Sequence, residues 1–147
     1  QMNWIKWGQH ERIAARGYEV LMLDFRVHGD SPAPVGAEHY PHNVLVEDVA
    51  ALVAHLGLED YDLGGFSLGA RTTLHGVAHG RLTPRRIIAA GMGTAGLGDW
   101  HRRAAFFRRV IDEFDTIQPG DPAFFARTFL KSQGIDRAAA RLLLDTM

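Results

Sequence analysis

Cysteine is absent from the 147 residues, which excludes disulfide staples, a thiolate nucleophile and cysteine-ligated metal while leaving the redox compartment open. Stability has to come from packing. An excess of either charge is missing too: 16 Lys and Arg stand against 17 Asp and Glu, for a formal net charge of -1. No overall field therefore draws the chain toward nucleic acid or anionic lipid, and neither a nucleic-acid nor a membrane partner is expected. No apolar run approaches the ~18 residues needed to cross a bilayer, and Gln1 to His10 lack the pattern of a secretory signal, so the expectation is a cytoplasmic protein. Met2 is followed at once by a helical pattern, and further chain before Gln1 is expected. Internal repeats and low-complexity segments are also lacking.

What is present is the make-up of an ordinary globular protein, 46% hydrophobic and 22% charged, with enough apolar material for one core. Trp4 to Arg16 reads as a helix, with Asn3 as cap, Trp4, Trp7 and Ile13 as apolar contacts, Gly17 as stop and Gly8 as an interruption. Tyr18 to Leu23, closed by Asp24, has the form of a buried parallel strand. Residues 25–42 carry glycines, prolines and histidines without periodicity and read as a long irregular connection.

Val44 to Leu56 is a helix with Asn43 as cap, Glu47 and Asp48 near its positive end and Gly57 as terminator. Tyr61 to Phe66 reads as a strand, Leu68 to His79 as a helix, and Arg85 to Ala90 as a strand after Thr83 and Pro84. This alternation predicts the α/β class: an open, mostly parallel sheet with helices on both faces. Beyond Gly91, Gly93, Gly96 and Gly98, which read as a flexible stretch, no further strand is expected, and a boundary falls near residue 97. Asp99 to Asp115 carries an apolar stripe of Trp100, Ala104, Phe107, Ile111 and Phe114, flanked by arginines 102, 103, 108 and 109. Pro122 to Lys131 and Asp136 to Asp145 read as two more helices.

The segment Gly65-Phe66-Ser67-Leu68-Gly69 fits the nucleophile-elbow pattern G-x-S-x-G, with a strand before it and a helix after it. In such a turn the serine backbone is strained, and the residues two before and two after it are small because strand and helix approach closely. Ser67 would then sit at the positive end of the following helix, with the backbone N–H of Leu68 as an oxyanion donor. The bland alternative is a serine that caps the helix.

Upstream, Asp24-Phe25-Arg26-Val27-His28-Gly29-Asp30-Ser31 resembles the D-x-R-G-H-G-x-S loop of α/β-hydrolases, with Val27 where the family usually has glycine. The chain is similar to their capped esterase, C–C hydrolase, epoxide hydrolase and haloperoxidase-like branch, most clearly over residues 1–96. The resemblance implies a partial α/β-hydrolase core over 1–96 carrying the elbow, and a helical cap or lid over 97–147. It also implies a loop-structuring role for His28 instead of catalytic base. In this fold the triad runs Ser, acid, His, so the acid and the histidine are expected beyond Met147, and the second oxyanion donor before Gln1.

Other histidines serve poorly as the base. His75 lies on the helix that follows Ser67, roughly 12 Å along its axis at 1.5 Å per residue, and His79 is farther still. His101 fits a surface or hinge position, and His39 and His42 fit solvated loop residues better than a metal pair. The arginines around Trp100 fit a solvated flank better than an anion site. Trp100, Phe106, Phe107, Phe124 and Phe125 are candidates for lining an apolar acyl pocket, although aromatic residues at helical spacing more often pack.

The expected function is therefore serine-dependent hydrolysis of an ester or related acyl bond of a small, apolar acyl substrate, through an acyl-Ser67 intermediate and with no cofactor or metal. Residues 1–147 by themselves are expected to be incomplete for catalysis and nearly inactive. Serine at 67 argues against the branches that use Asp there. A C–C hydrolase, acyltransferase or perhydrolase would use the same elbow, and a non-catalytic ligand-binding or receptor protein is the alternative from another class. Oligomeric state is left open.

Overall fold

A computed structural model describes residues 2–147. Its centre is a pair of parallel strands, β1 (Asp62–Phe66) and β2 (Arg86–Ala90), in register from Asp62 opposite Arg86 to Phe66 opposite Ala90. Helices surround this open sheet: α1 (Met2–Ile5), α2 (Gln9–Ala14), α3 (Val44–His55), α4 (Leu68–Ala78), α5 (Thr94–Gly98), α6 (Trp100–Asp112), α7 (Phe124–Ser132) and α8 (Arg137–Leu144). The α/β architecture read from the sequence is the one observed. Parallel neighbours need a crossover, and α4 supplies it, packing on both strands. On the sheet face turned away from α4, Phe66 and Ile88 are 54% and 63% exposed. Among the described residues no helix is long and apolar enough to cross a membrane.

Three elements depart from the sequence pattern. The expected helix over 4–16 is two short ones, because Gly8 adopts φ 66° and its N–H closes a turn on the Ile5 carbonyl at 2.9 Å. That break turns Trp7 and Ile13 outward instead of into contacts, and Asn3 stands within α1 instead of capping it. Gly17, at φ 86°, does end the second helix. Tyr18 to Leu23 is neither a strand nor buried throughout, for Leu21 and Leu23 are exposed. A strand exists only when its backbone groups find a ladder, and among the described residues none faces this segment. Finally, the glycine-rich stretch after β2 is partly ordered as α5.

Asn43 occupies the N-cap position of α3 but at φ 59°, and its side chain does not cap. Its backbone N–H instead donates to the Thr146 carbonyl at 2.8 Å, tying the start of α3 to the chain beyond α8. The irregular connection before α3 is pinned by Arg26, whose guanidinium donates to both carboxylate oxygens of Asp48 at 2.6 and 2.5 Å and also to the His39 carbonyl. That pair is only partly exposed and bidentate, the stronger kind of ion pair.

Three apolar clusters hold these elements. One joins Val27, Tyr40, Val44 and Leu45 to Ala139 and Leu143 of α8, with Leu68 packed against it. A second sits between α3 and α4 around Val46, Val49 and Leu82, and a third, Val110, Ile117 and Ala123, is internal to the helices after residue 97. Helix α8 is built for its role: Asp136 caps it by accepting from the Ala139 N–H at 2.9 Å, and Ala139 and Leu143, one turn apart, share the buried face. Leu143→Ala leaves a cavity where α8 meets α3, and an expected loss of about 2–5 kcal/mol follows for buried leucine truncations. Urea unfolding measures it; a change under about 0.5 kcal/mol would show that α8 contributes little to this cluster.

Candidate active site

The bend at Ser67 begins with glycine. A Cβ on buried Gly65 would lie 2.2 Å from the Gly69 carbonyl carbon and 2.5 Å from the Ala70 nitrogen, so only a residue without a side chain lets β1 run this close to α4. The expected requirement at Gly69 is not met in the same way: a Cβ there would touch nothing within 4 Å. The crowding is one-sided, between the Gly65 α-carbon and the backbone of α4's first turn.

Ser67 itself has φ 52° and ψ -110°, a combination that L-residues rarely adopt, with a typical strain of about 1–3 kcal/mol. It is held from both sides. Its N–H donates to the Ala90 carbonyl at the end of β2 (2.8 Å), and its own carbonyl accepts from the Arg71 N–H (3.0 Å). Although Ser67 stands at the N-cap position, its side chain makes no cap hydrogen bond. The hydroxyl is thus not engaged with the first-turn amides of α4, which have no acceptor inside the helix. Ser67 and Leu68 are both half-buried, and the Leu68 side chain packs into the cluster shared by α3 and α8, leaving its N–H at the bend. Two surface cavities, of about 330 and 600 Å³, lie elsewhere, one along residues 21–24 and α3, the other between α3 and residues 81–83.

In the loop that resembles the D-x-R-G-H-G-x-S pattern, Val27 has φ 72°, the left-handed region that explains glycine at this position. Its N–H donates to the Pro32 carbonyl (3.0 Å) and its side chain is buried beside Tyr40 and Val44. Ser31 Oγ donates to the Asp24 carbonyl at 2.6 Å, and the Asp24 carboxylate fills the space where Gly29 lacks a Cβ. His28 Nδ1 lies 3.0 Å from the Arg26 carbonyl, a contact internal to this loop. His39, His42 and His101 are exposed, and His75 and His79 stack on each other along α4 with ring centroids 4.2 Å apart. None of the described histidines hydrogen-bonds Ser67.

The flanking arginines of α6 are largely tied to carboxylates: Arg102 to Asp99, Arg108 to Asp145, and Arg109 to Glu113 and Asp121. Arg103 lies over the Phe107 ring. Of the candidate lining aromatics, Phe124 packs into the third cluster and Phe125 is 84% exposed. Phe106 and Phe107 meet edge to face. Trp100 does face the elbow's helix, because the guanidinium of Arg71 sits 4.2 Å from the centre of its ring.

Arg71 is a residue the sequence reading passed over. It is only 9% exposed, one turn after Ser67, and has neither an ion pair nor a side-chain hydrogen bond among the described residues. Burial disfavours its charge and lowers its pKa, with no carboxylate nearby to offset the effect. A tryptophan face returns about 2 kcal/mol to a desolvated cation, against a desolvation penalty of at least several. Beside it, the Trp100 Nε1–H is buried and has no acceptor among the described residues.

A family model described as the alpha/beta hydrolase fold matches residues 3–131, and the chain belongs to that family. No solved structure matches the chain.

Two outcomes follow from this geometry. Gly65→Ala should destabilise by about 3 kcal/mol, because backbone must move, whereas Gly69→Ala should be neutral or stabilising by up to about 1 kcal/mol in a helical position. Equal effects in urea unfolding would contradict the one-sided crowding. The second concerns His75, whose pKa is lowered below the usual 6.5 by burial first, then by Arg71, His79 and His42. The unfolded chain therefore takes up this proton before the folded one does. Its contribution to stability is intact above about pH 6.5 and falls as pH drops below that value, levelling once the folded imidazole also titrates. Urea midpoints measured between about pH 7.5 and 5 should fall less in His75→Gln than in the parent; parallel profiles would rule out the effect.

Proposed function

We propose that the protein hydrolyses an ester or related acyl bond of a small molecule through an acyl-Ser67 intermediate. The observation that carries this reading is the strained Ser67 backbone at the strand-to-helix bend, with its hydroxyl free of capping duty and the unaccepted amides of α4 beside it. The Ser67 oxygen attacks the substrate carbonyl and its proton passes to a base. Negative charge then gathers on the carbonyl oxygen, toward the Leu68 N–H and the positive end of α4. Collapse expels the alcohol, which takes a proton, and water then cleaves the acyl-serine to release the acid and restore the hydroxyl.

The base and its orienting carboxylate complete this scheme, and in the family's chain order both follow the nucleophile. Residues 97–147 act as the roof of the site in this proposal. Trp100 over α4 and α8 against Leu68 and α3 support that arrangement.

A fluorophosphonate probe tests the nucleophile directly, because it reacts with activated serines and hardly with ordinary ones. The protein together with its base and orienting carboxylate should be labelled on Ser67, as located by peptide mass spectrometry, and Ser67→Ala should lose the label. The same folded protein left unlabelled would instead support a ligand-binding protein on the same scaffold.

A further inference from the structure

The geometry points to an anion subsite beside the elbow: Arg71 and the Trp100 Nε1–H together receive a carboxylate carried by the acyl part of the substrate. We infer that the substrate is a short acid monoester or similar anionic acyl compound, not a neutral apolar ester. The inference rests on the reading of Ser67 as nucleophile for the word substrate, but not for the binding itself.

Two independent observations converge on a missing acceptor. Arg71 is nine-tenths buried on α4 and among the described residues has neither a carboxylate nor a carbonyl on its guanidinium, and the ring it lies over presents a buried donor that also lacks an acceptor there. Buried donors are satisfied in nearly all folded proteins, and an orphan indole N–H against an arginine with no acidic partner among the described residues asks for an explanation. A ring face neutralises nothing; it only partly replaces the water that the guanidinium has lost. The surroundings deepen the need, since His75, the next turn along, supplies no negative charge, and burial and then Arg71 hold it toward its neutral form.

Other arginines of the chain show what the fold does when it supplies the partner itself. Arg26, Arg81, Arg85 and Arg109 each donate to one carboxylate through two nitrogens. Arg71 has the same fork without the carboxylate. A planar carboxylate accepts two parallel N–H bonds from such a fork and keeps lone pairs for an indole N–H. The position suits one small molecule, because Arg71 and Ser67 are neighbours across the first turn of α4, joined by the Arg71 N–H to the Ser67 carbonyl at 3.0 Å. A compound whose carboxylate meets Arg71 can therefore bring a carbonyl a few bonds away to Ser67.

Monomethyl succinate, with one ester and one carboxylate, and dimethyl succinate, its neutral counterpart, are suitable probes. Their binding is measured by calorimetry on the full chain carrying Ser67→Ala, so that the readout does not depend on acylation. The monoester should bind at least about tenfold more tightly than the diester, as expected for a charge-assisted bidentate contact. Arg71→Gln should bring the two to parity. Arg71→Lys, which keeps charge but loses the fork, and Trp100→Phe, which keeps the ring but loses the donor, should each weaken the monoester several-fold and leave the diester unchanged.

Equal affinity for both probes in the parent, or a preference that survives Arg71→Gln, would overturn the subsite. Should Arg71→Gln fail to fold by circular dichroism, unchanged monoester binding in both Arg71→Lys and Trp100→Phe would overturn it equally. The two proposals separate cleanly: labelling of Ser67 without discrimination between probes leaves the nucleophile and removes the subsite, and discrimination without labelling does the reverse.

Discussion

The backbone of α4 passes so close to Gly65 that no side chain fits between them, and the candidate site depends on that contact. With β1 pressed against the first turn of the helix, one residue has to reverse the chain, and Ser67 does so at φ 52°. The hydrogen bond from its N–H to the Ala90 carbonyl fixes the bend to the end of β2, and the half-buried side chain of Leu68, packed on its cluster, anchors the helix side. Such strain persists only where neighbours over-determine it. Here a ladder bond, a close backbone contact and a packed leucine do so.

Much of this was legible in the sequence because it is local. The glycine two residues before Ser67, the strand before it and the helix after it are read from a few adjacent residues. The observed β1, α4 and β2 lie within a residue or two of the expected spans. The three helices after residue 98 were expected too, the first of them from its apolar stripe. Val27 shows a finer case. A β-branched residue where related loops carry glycine signalled unusual geometry, and the backbone does take the left-handed conformation, with a buried side chain as compensation.

What stayed hidden was non-local. Tyr18 to Leu23 has the composition of a buried strand, but composition cannot supply the facing ladder that makes a strand, so the segment has no regular structure and is partly exposed. Asn43 had the chemistry of a helix cap, yet it turned left-handed to let its N–H reach Thr146, about a hundred residues away. Arg71 was overlooked because attention went to the conspicuous arginines of α6. A signal was nevertheless available. The α6 arginines at 102 and 109 have Asp99 and Glu113 at helical spacing, whereas the positions three and four away from Arg71 hold Ser67, Leu68, Leu74 and His75, none of them acidic.

A sequence that folds well usually agrees with itself at every level, and the places where it does not tend to be functional. Around the first turn of α4 four disagreements accumulate. A serine adopts a glycine-like backbone, its hydroxyl leaves the helix uncapped, a cation is buried without a counter-charge, and an indole N–H is buried without an acceptor. Each would be cheaply removed by substitution if stability were the only requirement, since Asp as a true cap or Leu for Arg71 satisfies the local rules better. Apart from the strain, these features share one sign: each leaves hydrogen-bond donors or positive charge unanswered among the described residues. A molecule that brings negative charge, already present on a carboxylate or developing on an attacked carbonyl, would answer them together, which is the chemistry the proposed anion subsite would exploit.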